Sequence, residues 1–155
     1  MSENSHQKGL IIRPITNGTV IDHITAGEAL NVLKILGITG TTTESISVAT
    51  NVTSPRIGRK DIVKIENREL RQDEVDRIAL IAPQATINII RECAVHNKKG
   101  VTIPPLLKGV IRCPNPGCIS NTKEPIISSF EVTRKGLQCT YCDWLITKDI
   151  ANHII

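Results

Sequence analysis

TVIDHI at residues 19–24, followed directly by TAGEALNVLKILG at 25–37, is the stretch that decides the fold of the first part of the chain. The first piece is rich in β-branched residues, which favours an extended strand. The second carries apolar residues at helical spacing: Ala29, Leu30, Leu33 and Leu36. Thr25 and Glu28 have the spacing of a capping box, and Gly37 stands where helices often end. A strand, a tight turn and a short helix are therefore predicted.

The segments around this stretch extend the pattern. Extended segments are predicted for LIIRPI at 10–15, ISVATNVT at 46–53, DIVKIEN at 61–67 and TINIIRECAV at 86–95. A second helix is predicted for RQDEVDRIALIA at 71–82, ended by Pro83. The order β-α-β-β-α-β is typical of the ferredoxin-like fold, in which helices cover one face of an antiparallel sheet. We expect an α+β domain whose other face carries several lysines, with Cys93 as a small core residue.

Composition sets wider bounds on the chain. Its 155 residues are enough for one ordinary domain or two small ones, and 22% charged with 40% hydrophobic residues predicts a folded core. A net charge of +4 is compatible with an anionic partner but does not require nucleic acid. No apolar run reaches the ~18 residues of a membrane span, and the start is polar, so a cytoplasmic protein is expected. Residues 1–9 are predicted to be a disordered tail.

The second part of the chain has different chemistry. Four of the five cysteines follow the spacing C-x4-C-x20-C-x2-C: Cys113, Cys118, Cys139 and Cys142. Two cysteine pairs separated by such a loop are typical of a four-thiolate structural zinc site, which leaves no open position for catalysis. Pro104-Pro105 marks the junction. We therefore predict domains at 10–100 and 101–155, with one structural Zn²⁺ in the second.

The small second domain is expected to depend on its metal. About fifty residues cannot bury a self-sufficient core, so a small all-β zinc ribbon, rubredoxin-like in form, is predicted. Its core would consist of three aromatic and three aliphatic residues: Phe130, Tyr141, Trp144, Ile126, Val132 and Leu137. Disulfides are the alternative use of these cysteines, but they require an oxidising compartment. Spacing alone does not separate protein docking from nucleic-acid binding for such a module.

Several short segments of the sequence indicate a protein family. GTVIDHI at 18–24, GRKDIVKIEN at 58–67, LIAPQATIN at 80–88, CPNPGCIS at 113–120 and CTYC at 139–142 closely resemble the aspartate carbamoyltransferase regulatory chain. The resemblance runs from about residue 10 to the end in a single register. It implies a non-catalytic subunit whose first domain binds CTP, ATP or UTP as effectors and pairs with its twin. The zinc domain would dock on catalytic chains of pyrimidine biosynthesis, with three regulatory dimers joining two catalytic trimers.

The resemblance also implies a nucleotide site. Ile15 and Val20 would lie beside the base, Asp22 and Lys64 at the ribose, and His23, Asn88 and Lys98 near the phosphates. Ile90 and Val95 would complete the wall. Lysine and histidine can donate to phosphate oxygens, and a carboxylate can accept from ribose hydroxyls. Strict strand alternation would place Asp22 and His23 on opposite faces, so the site must lie at a strand edge or a twisted end.

Two other functions compete with this interpretation. A ferredoxin-like sheet joined to a zinc ribbon could bind nucleic acid, but RNA readers of this shape place aromatic residues on the sheet. All three aromatic residues of this chain lie beyond residue 129, which argues against that alternative. An enzyme acting on a nucleotide would need a nucleophile or general base, and His23 is the one candidate. No nucleophile elbow, phosphate loop or metalloprotease helix is found in the sequence, so we expect no catalytic activity.

Overall fold

Two antiparallel sheets follow one another along the chain. The computed structural model describes residues 14–40 and 43–155. The first sheet has the strand order β2-β3-β1-β4-β5. Its strands are β1 (Gly18–Thr25), β2 (Ile46–Ser54), β3 (Gly58–Glu66), β4 (Thr86–Arg91) and β5 (Ala94–Gly100). Two helices, α1 (Ala29–Ile35) and α2 (Gln72–Ile81), complete this part of the molecule.

The helices pack on one face of the five-stranded sheet. The buried cluster joins residues of β1, β3 and β4 to residues of both helices: Ile21, Ile24, Ala29, Val32, Leu36, Val63, Ile65, Val75, Ile78, Ile81 and Ile87, with Ala82 and Ala85. Aliphatic side chains alone form this core. The predicted α+β arrangement is confirmed, and within residues 14–40 and 43–155 both α-helices leave the sheet's opposite face uncovered.

For helix α1, the sequence predicted the end correctly but not the cap at the start. The capping box predicted at Thr25 and Glu28 is wrong, because Glu28 is the N-cap residue and makes no side-chain capping hydrogen bond. Asp61 of β3 instead accepts hydrogen bonds from the backbone N–H groups of Gly27 and Ala29, each at 3.0 Å. The predicted Gly37 terminus is confirmed: its φ is +76°, and the next residue donates back to the helix carbonyl of Leu33 at 2.9 Å.

The predicted apolar face of α1 needs one correction. Leu30 is 73% exposed, whereas Ala29, Val32 and Leu36 are buried. A helix of only two turns presents a narrow buried stripe, and Leu30 lies outside it.

The strand predicted over residues 86–95 is a hairpin instead. Strand β4 ends at Arg91, Glu92 and Cys93 form the turn, and β5 returns antiparallel to β4. Both turn residues have positive φ, +53° and +66°. Cys93 is exposed at this turn, so its predicted role in the core is wrong. The sheet therefore has one strand more than the ferredoxin-like pattern predicted.

The extended segment predicted at 10–15 lies mostly outside the described residues. Pro14 and Ile15 are described and do not belong to a strand, although Ile15 is buried. The tail predicted at residues 1–9 also lies outside the described part of the chain.

The second sheet is a four-stranded meander. Its strands are β6 (Leu106–Lys108), β7 (Ser129–Val132), β8 (Leu137–Cys139) and β9 (Leu145–Ile146), in that order. The small all-β form predicted for this region is confirmed. Phe130 and Leu137 are buried as expected, and Ile126 and Val132 are half-buried. The predicted core role of Tyr141 and Trp144 is wrong, because they are 47% and 45% exposed. Leu107, Ile111, Ile146 and the buried cysteines fill the core instead.

Helix α2 connects the two parts of the molecule. Its Leu80 belongs to the buried cluster of the second sheet, and Arg77 donates to the carbonyl of Gly109 at 3.4 Å. From the other side, Ala151 and Ile154 of the C-terminal segment pack against the first core. The two cores are thus in direct contact through α2 and the C-terminal residues.

Neither of the two helices found in the described residues has the length and apolarity needed to cross a membrane.

Candidate functional site

The four cysteines of the second domain converge on one point. The Sγ atoms of Cys113, Cys118, Cys139 and Cys142 all lie within 4.8 Å of one another. Cys113 and Cys142 approach to 3.5 Å, and Cys118 and Cys139 to 3.7 Å. Four sulfurs bound at about 2.3 Å to one tetrahedral zinc ion lie about 3.8 Å apart. The donor set and its spacing therefore fit a structural zinc ion.

Local hydrogen bonds shape the two knuckles. In the first, Asn121 donates from its side-chain amide to the carbonyls of Cys113 and Asn115, each at 2.7 Å. The side-chain oxygen of Asn115 accepts from the N–H of Gly117 at 3.0 Å. In the second, the N–H of Asp143 donates to the carbonyl of Cys139 at 3.0 Å. These bonds fix the backbone so that each pair of sulfurs faces the other pair.

Two of the thiols in the cluster need a nearby cation to ionise. Burial raises the pKa of the Cys113 thiol and of the Cys139 thiol. Metal binding requires thiolates, and a bound dication supplies the charge that stabilises them in a buried position. Zn²⁺ held by the four thiolates would link the two knuckles and so stabilise this domain. A site with four protein ligands has no open position for a substrate.

The residues proposed for a nucleotide site come together on the helix-free face of the first sheet. Val20 pairs with Lys64 on one side and with Asn88 on the other, and Asn88 pairs with Lys98. Directly opposed residues on neighbouring strands share a face, so these four form one row across β3, β1, β4 and β5. Asn88 donates from its amide to the carbonyl of Val20 at 3.2 Å, which fixes the middle of the row.

The apolar members lie one step further along the strands. Ile90 of β4 pairs with Gly18 of β1 on one side and with Val95 of β5 on the other. The buried Ile15 precedes β1, where the carbonyl of Thr16 accepts from the N–H of Cys93 at 2.8 Å. This bond holds the start of the described chain beside the hairpin turn. The structure thus brings Ile90 and Val95 to one end of the row, and Ile15 directly precedes the residue that bonds to the neighbouring hairpin turn.

A β-bulge resolves the difficulty with Asp22 and His23. The register of β1 and β3 shifts between Ile21 and Ile24, so Asp22 and His23 together oppose the single residue Ile62. His23 has φ +57°, and its N–H donates to the Asp22 carboxylate at 2.6 Å. Strict alternation is broken at the bulge, so both side chains can serve one ligand.

Cations surround the bulge. Lys60 forms an ion pair with Asp22 at 2.8 Å. Burial acts to raise the pKa of Asp22, but the hydrogen bonds from Lys60 and from the His23 N–H outweigh it, so this pKa lies below its ordinary value. Burial lowers the pKa of His23, and the nearby charges of Lys60, Arg56 and Lys98 lower it further, against the opposing effect of Asp22. These effects together favour the neutral form of His23.

Sequence reasoning missed two of these cations. Arg56 and Lys60 lie at the β2–β3 hairpin and act on His23, and neither was among the predicted site residues. The sequence offered one usable signal: Lys60 and Lys64 stand four residues apart in a strand and therefore share a face. Burial lowers the pKa of Lys64, while the Asp22 charge acts to raise it, so this face is partly shielded from water.

A sheet domain with a cation-rich polar face, joined to a four-cysteine domain, defines the chain as a two-domain, metal-binding protein. Comparison with known families makes this specific. Residues 10–102 match the allosteric domain of the aspartate carbamoyltransferase regulatory chain, and residues 105–152 match the metal-binding domain of that same chain. The protein belongs to the aspartate carbamoyltransferase regulatory chain family.

Full-length relatives agree with this assignment. The regulatory chains of Methanoculleus marisnigri and Methanosphaerula palustris are 70% and 69% identical over 155 residues, covering 100% of both chains in each case. That of Haloarcula marismortui is 53% identical and covers 100% of this chain and 99% of its own. All three are described as aspartate carbamoyltransferase regulatory chains.

Proposed function

We propose that this chain is a non-catalytic, allosteric subunit that binds nucleoside triphosphates and adjusts the activity of aspartate carbamoyltransferase catalytic chains. Residues 10–100 would form the nucleotide-binding domain and residues 101–155 the zinc domain that docks on a catalytic chain. The row formed by Lys64, Val20, Asn88 and Lys98 is the observation that carries this proposal. It places polar and cationic groups on the one sheet face that the helices leave open.

The chemistry of the face suits CTP, ATP or UTP. Ile90 and Val95 offer an apolar surface for a base, with the buried Ile15 close to them in the chain's fold as the resemblance implies, and the cations around His23 lie at the opposite end, where a triphosphate would reach. Lys60 forms an ion pair with Asp22. Phosphate oxygens would compete for Lys60, and the Asp22 carboxylate would then accept hydrogen bonds from the ribose.

The zinc domain offers a surface for the catalytic chain. Tyr141, Trp144 and Leu145 cluster in sequence at the second knuckle and are all exposed, as is Ile119 beside the first knuckle. Aromatic side chains are enriched at protein interfaces, because they bury a large area at a low entropic cost. We assign this knuckle surface to the contact with catalytic chains.

Pairing of two copies would use the edge of β2. This edge strand carries Ile46 and Val48, and Val48 is 36% exposed. The other edge strand, β5, carries Lys98 and Lys99, and lysines on an edge discourage pairing of strands. We infer a homodimer joined through β2. Three such dimers linking two catalytic trimers are what the family resemblance implies.

Co-expression with the catalytic chain tests the proposal. The two chains should copurify, the isolated regulatory chain should have no carbamoyltransferase activity, and CTP and ATP should shift the aspartate saturation curve of the complex. A complex whose saturation curve does not respond to any nucleoside triphosphate would contradict the allosteric role. Turnover by the isolated chain would contradict the non-catalytic one.

Nucleic-acid binding is not favoured as an alternative. The chain's three aromatic residues all belong to the second domain, so the open face of the first sheet lacks the stacking platform that RNA-binding sheets of this shape use.

A further inference from the structure

Two bulges lie side by side across β3. On one side, Asp22 and His23 of β1 oppose Ile62. On the other, the register of β2 shifts between Ala49 and Val52, so Thr50 and Asn51 oppose Asp61. Asn51, like His23, has positive φ, +53°. A bulge leaves a backbone N–H group outside the ladder and bends its strand, so this end of the sheet needs local support.

Carboxylates supply that support. The N–H of His23 donates to Asp22, and the N–H of Asn51 donates to Asp61 Oδ1 at 2.7 Å. Asp61 Oδ2 accepts from Gly27 and Ala29, each at 3.0 Å, and the Asp61 side chain is fully buried. In the ladder, Asp61 pairs with Ile24, the first residue after the His23 bulge. One carboxylate therefore ties the β2 bulge to the turn that follows the β1 bulge.

We propose that Asp61 is a positioning residue of the nucleotide site. By fixing the β2 bulge and the turn that follows the β1 bulge, Asp61 sets the orientation of His23 and of Lys60, the residue before Asp61, towards the phosphate groups. The base end of the row, at Ile90 and Val95, lies on β4 and β5 and does not contact this network through the hydrogen bonds of Asp61. Asp61 should thus act on the phosphates and leave recognition of the base unchanged. This inference rests on the nucleotide site proposed above.

The Asp61→Asn variant tests the role with little change in volume. Its amide group must place NH₂ against either Asn51 N–H or the Gly27 and Ala29 N–H groups, so one side of the network is lost. Calorimetry should compare CTP and ATP with cytidine and adenosine. We expect triphosphate affinity to fall on the order of tenfold, since charge-assisted contacts are misaligned, while nucleoside affinity stays unchanged. Asp73→Asn, a change at an exposed carboxylate on α2, should alter neither.

The outcomes separate the two proposals. If the wild-type chain binds neither triphosphate, the proposed nucleotide site fails. If it binds them, and Asp61→Asn weakens triphosphate and nucleoside equally or affects neither, the positioning role is overturned. Should Asp61→Asn not fold, hydrogen exchange of the wild-type chain decides: the triphosphate, but not the nucleoside, should slow exchange in segments 24–29 and 49–54. Equal protection by both ligands would overturn the positioning role.

Discussion

His23 links the charge of the proposed nucleotide site to pH. Burial and three nearby cations hold its pKa below the ordinary value, which favours the neutral imidazole. A bound triphosphate adds negative charge and must raise this pKa, so binding takes up a proton. Triphosphate affinity should therefore increase as the pH falls from 8 to 6. Calorimetry in buffers of different ionisation enthalpy measures both the affinity and the proton uptake.

His23→Asn is the variant that isolates this effect. The nucleotide's own ionisation is common to both proteins, so only the part of the pH dependence that belongs to His23 should disappear. An unchanged pH dependence in the variant would show that the imidazole does not face the phosphates.

Lys98 and Lys99 form a matched pair of neighbours on β5. Lys98 belongs to the row on the open face, whereas Lys99 lies on the opposite face and donates to Gln72 of α2 at 3.1 Å. Lys98→Ala should weaken triphosphate binding by roughly 1.5–3 kcal/mol, the scale of a lost hydrogen bond to a charged group. Lys99→Ala should leave it unchanged, and zinc content should stay constant in both. Equal losses in the two variants would indicate a general charge effect with no site.

The sequence predicts the role of a residue when its partners follow a short spacing pattern, and it misses the role when the partner lies far away in the chain. Four cysteines are identified by spacing alone, because a metal accepts few donor sets. The cap of α1 was missed because Asp61 lies 32 residues from Ala29 in the chain, and no local pattern announces it. The Lys60–Asp22 ion pair was missed for the same reason: strand register, not sequence spacing, brings the two together.

At the scale of elements, both helices and the strands β1 to β3 follow from periodicity and turn residues. The β4–β5 hairpin does not, because its turn residues, Glu92 and Cys93, lack the Asn-Gly or Gly-Gly signal of a two-residue turn with positive φ. The apolar alternation also runs on through the turn to Val95 and imitates one long strand. Tertiary bonds compensate: Asn17 Oδ1 accepts from Glu92 N–H at 3.1 Å, and Thr16 O accepts from Cys93 N–H.

The strained turn predicts a stability difference between two substitutions. Cys93 has φ +66°, a conformation that costs a residue with a Cβ atom roughly 1–2 kcal/mol relative to glycine. The greater entropy of glycine in the unfolded chain offsets part of this gain, so Cys93→Gly should raise the free energy of unfolding by about 0.5–1 kcal/mol. Cys93→Val, which is β-branched, should lower it. Urea denaturation measures both, and the reverse order would mean that this turn is not held at positive φ.

At the scale of the whole molecule, the two domains depend on different forces. The first is closed by an aliphatic core, while the second has a small core built around its cysteines. Cys139→Ser should abolish the binding of about one zinc per chain and unfold the second domain. Cys93→Ser, a change at the exposed fifth cysteine, should leave zinc content at the wild-type value. Metal analysis and near-ultraviolet circular dichroism of Trp144 report the two effects. Retained tertiary signal without metal would contradict the role of zinc in folding.

The contact between the domains gives a physical route for allosteric coupling. Leu80 extends from α2 into the core of the second domain, and this helix also packs against the sheet that carries the proposed nucleotide site. In the complex with catalytic chains, an effector should change the affinity for a bisubstrate analogue by a coupling free energy of typically 1–3 kcal/mol. Linkage requires that the analogue change nucleotide affinity by the same factor.

Leu80→Ala should reduce this factor, while the nucleotide affinity of the isolated chain and the zinc content stay unchanged. Leu30→Ala, at a 73% exposed position, should not reduce the factor. Titrating CTP and ATP with and without the analogue measures the coupling in both directions; an undiminished factor in Leu80→Ala would place the route outside α2.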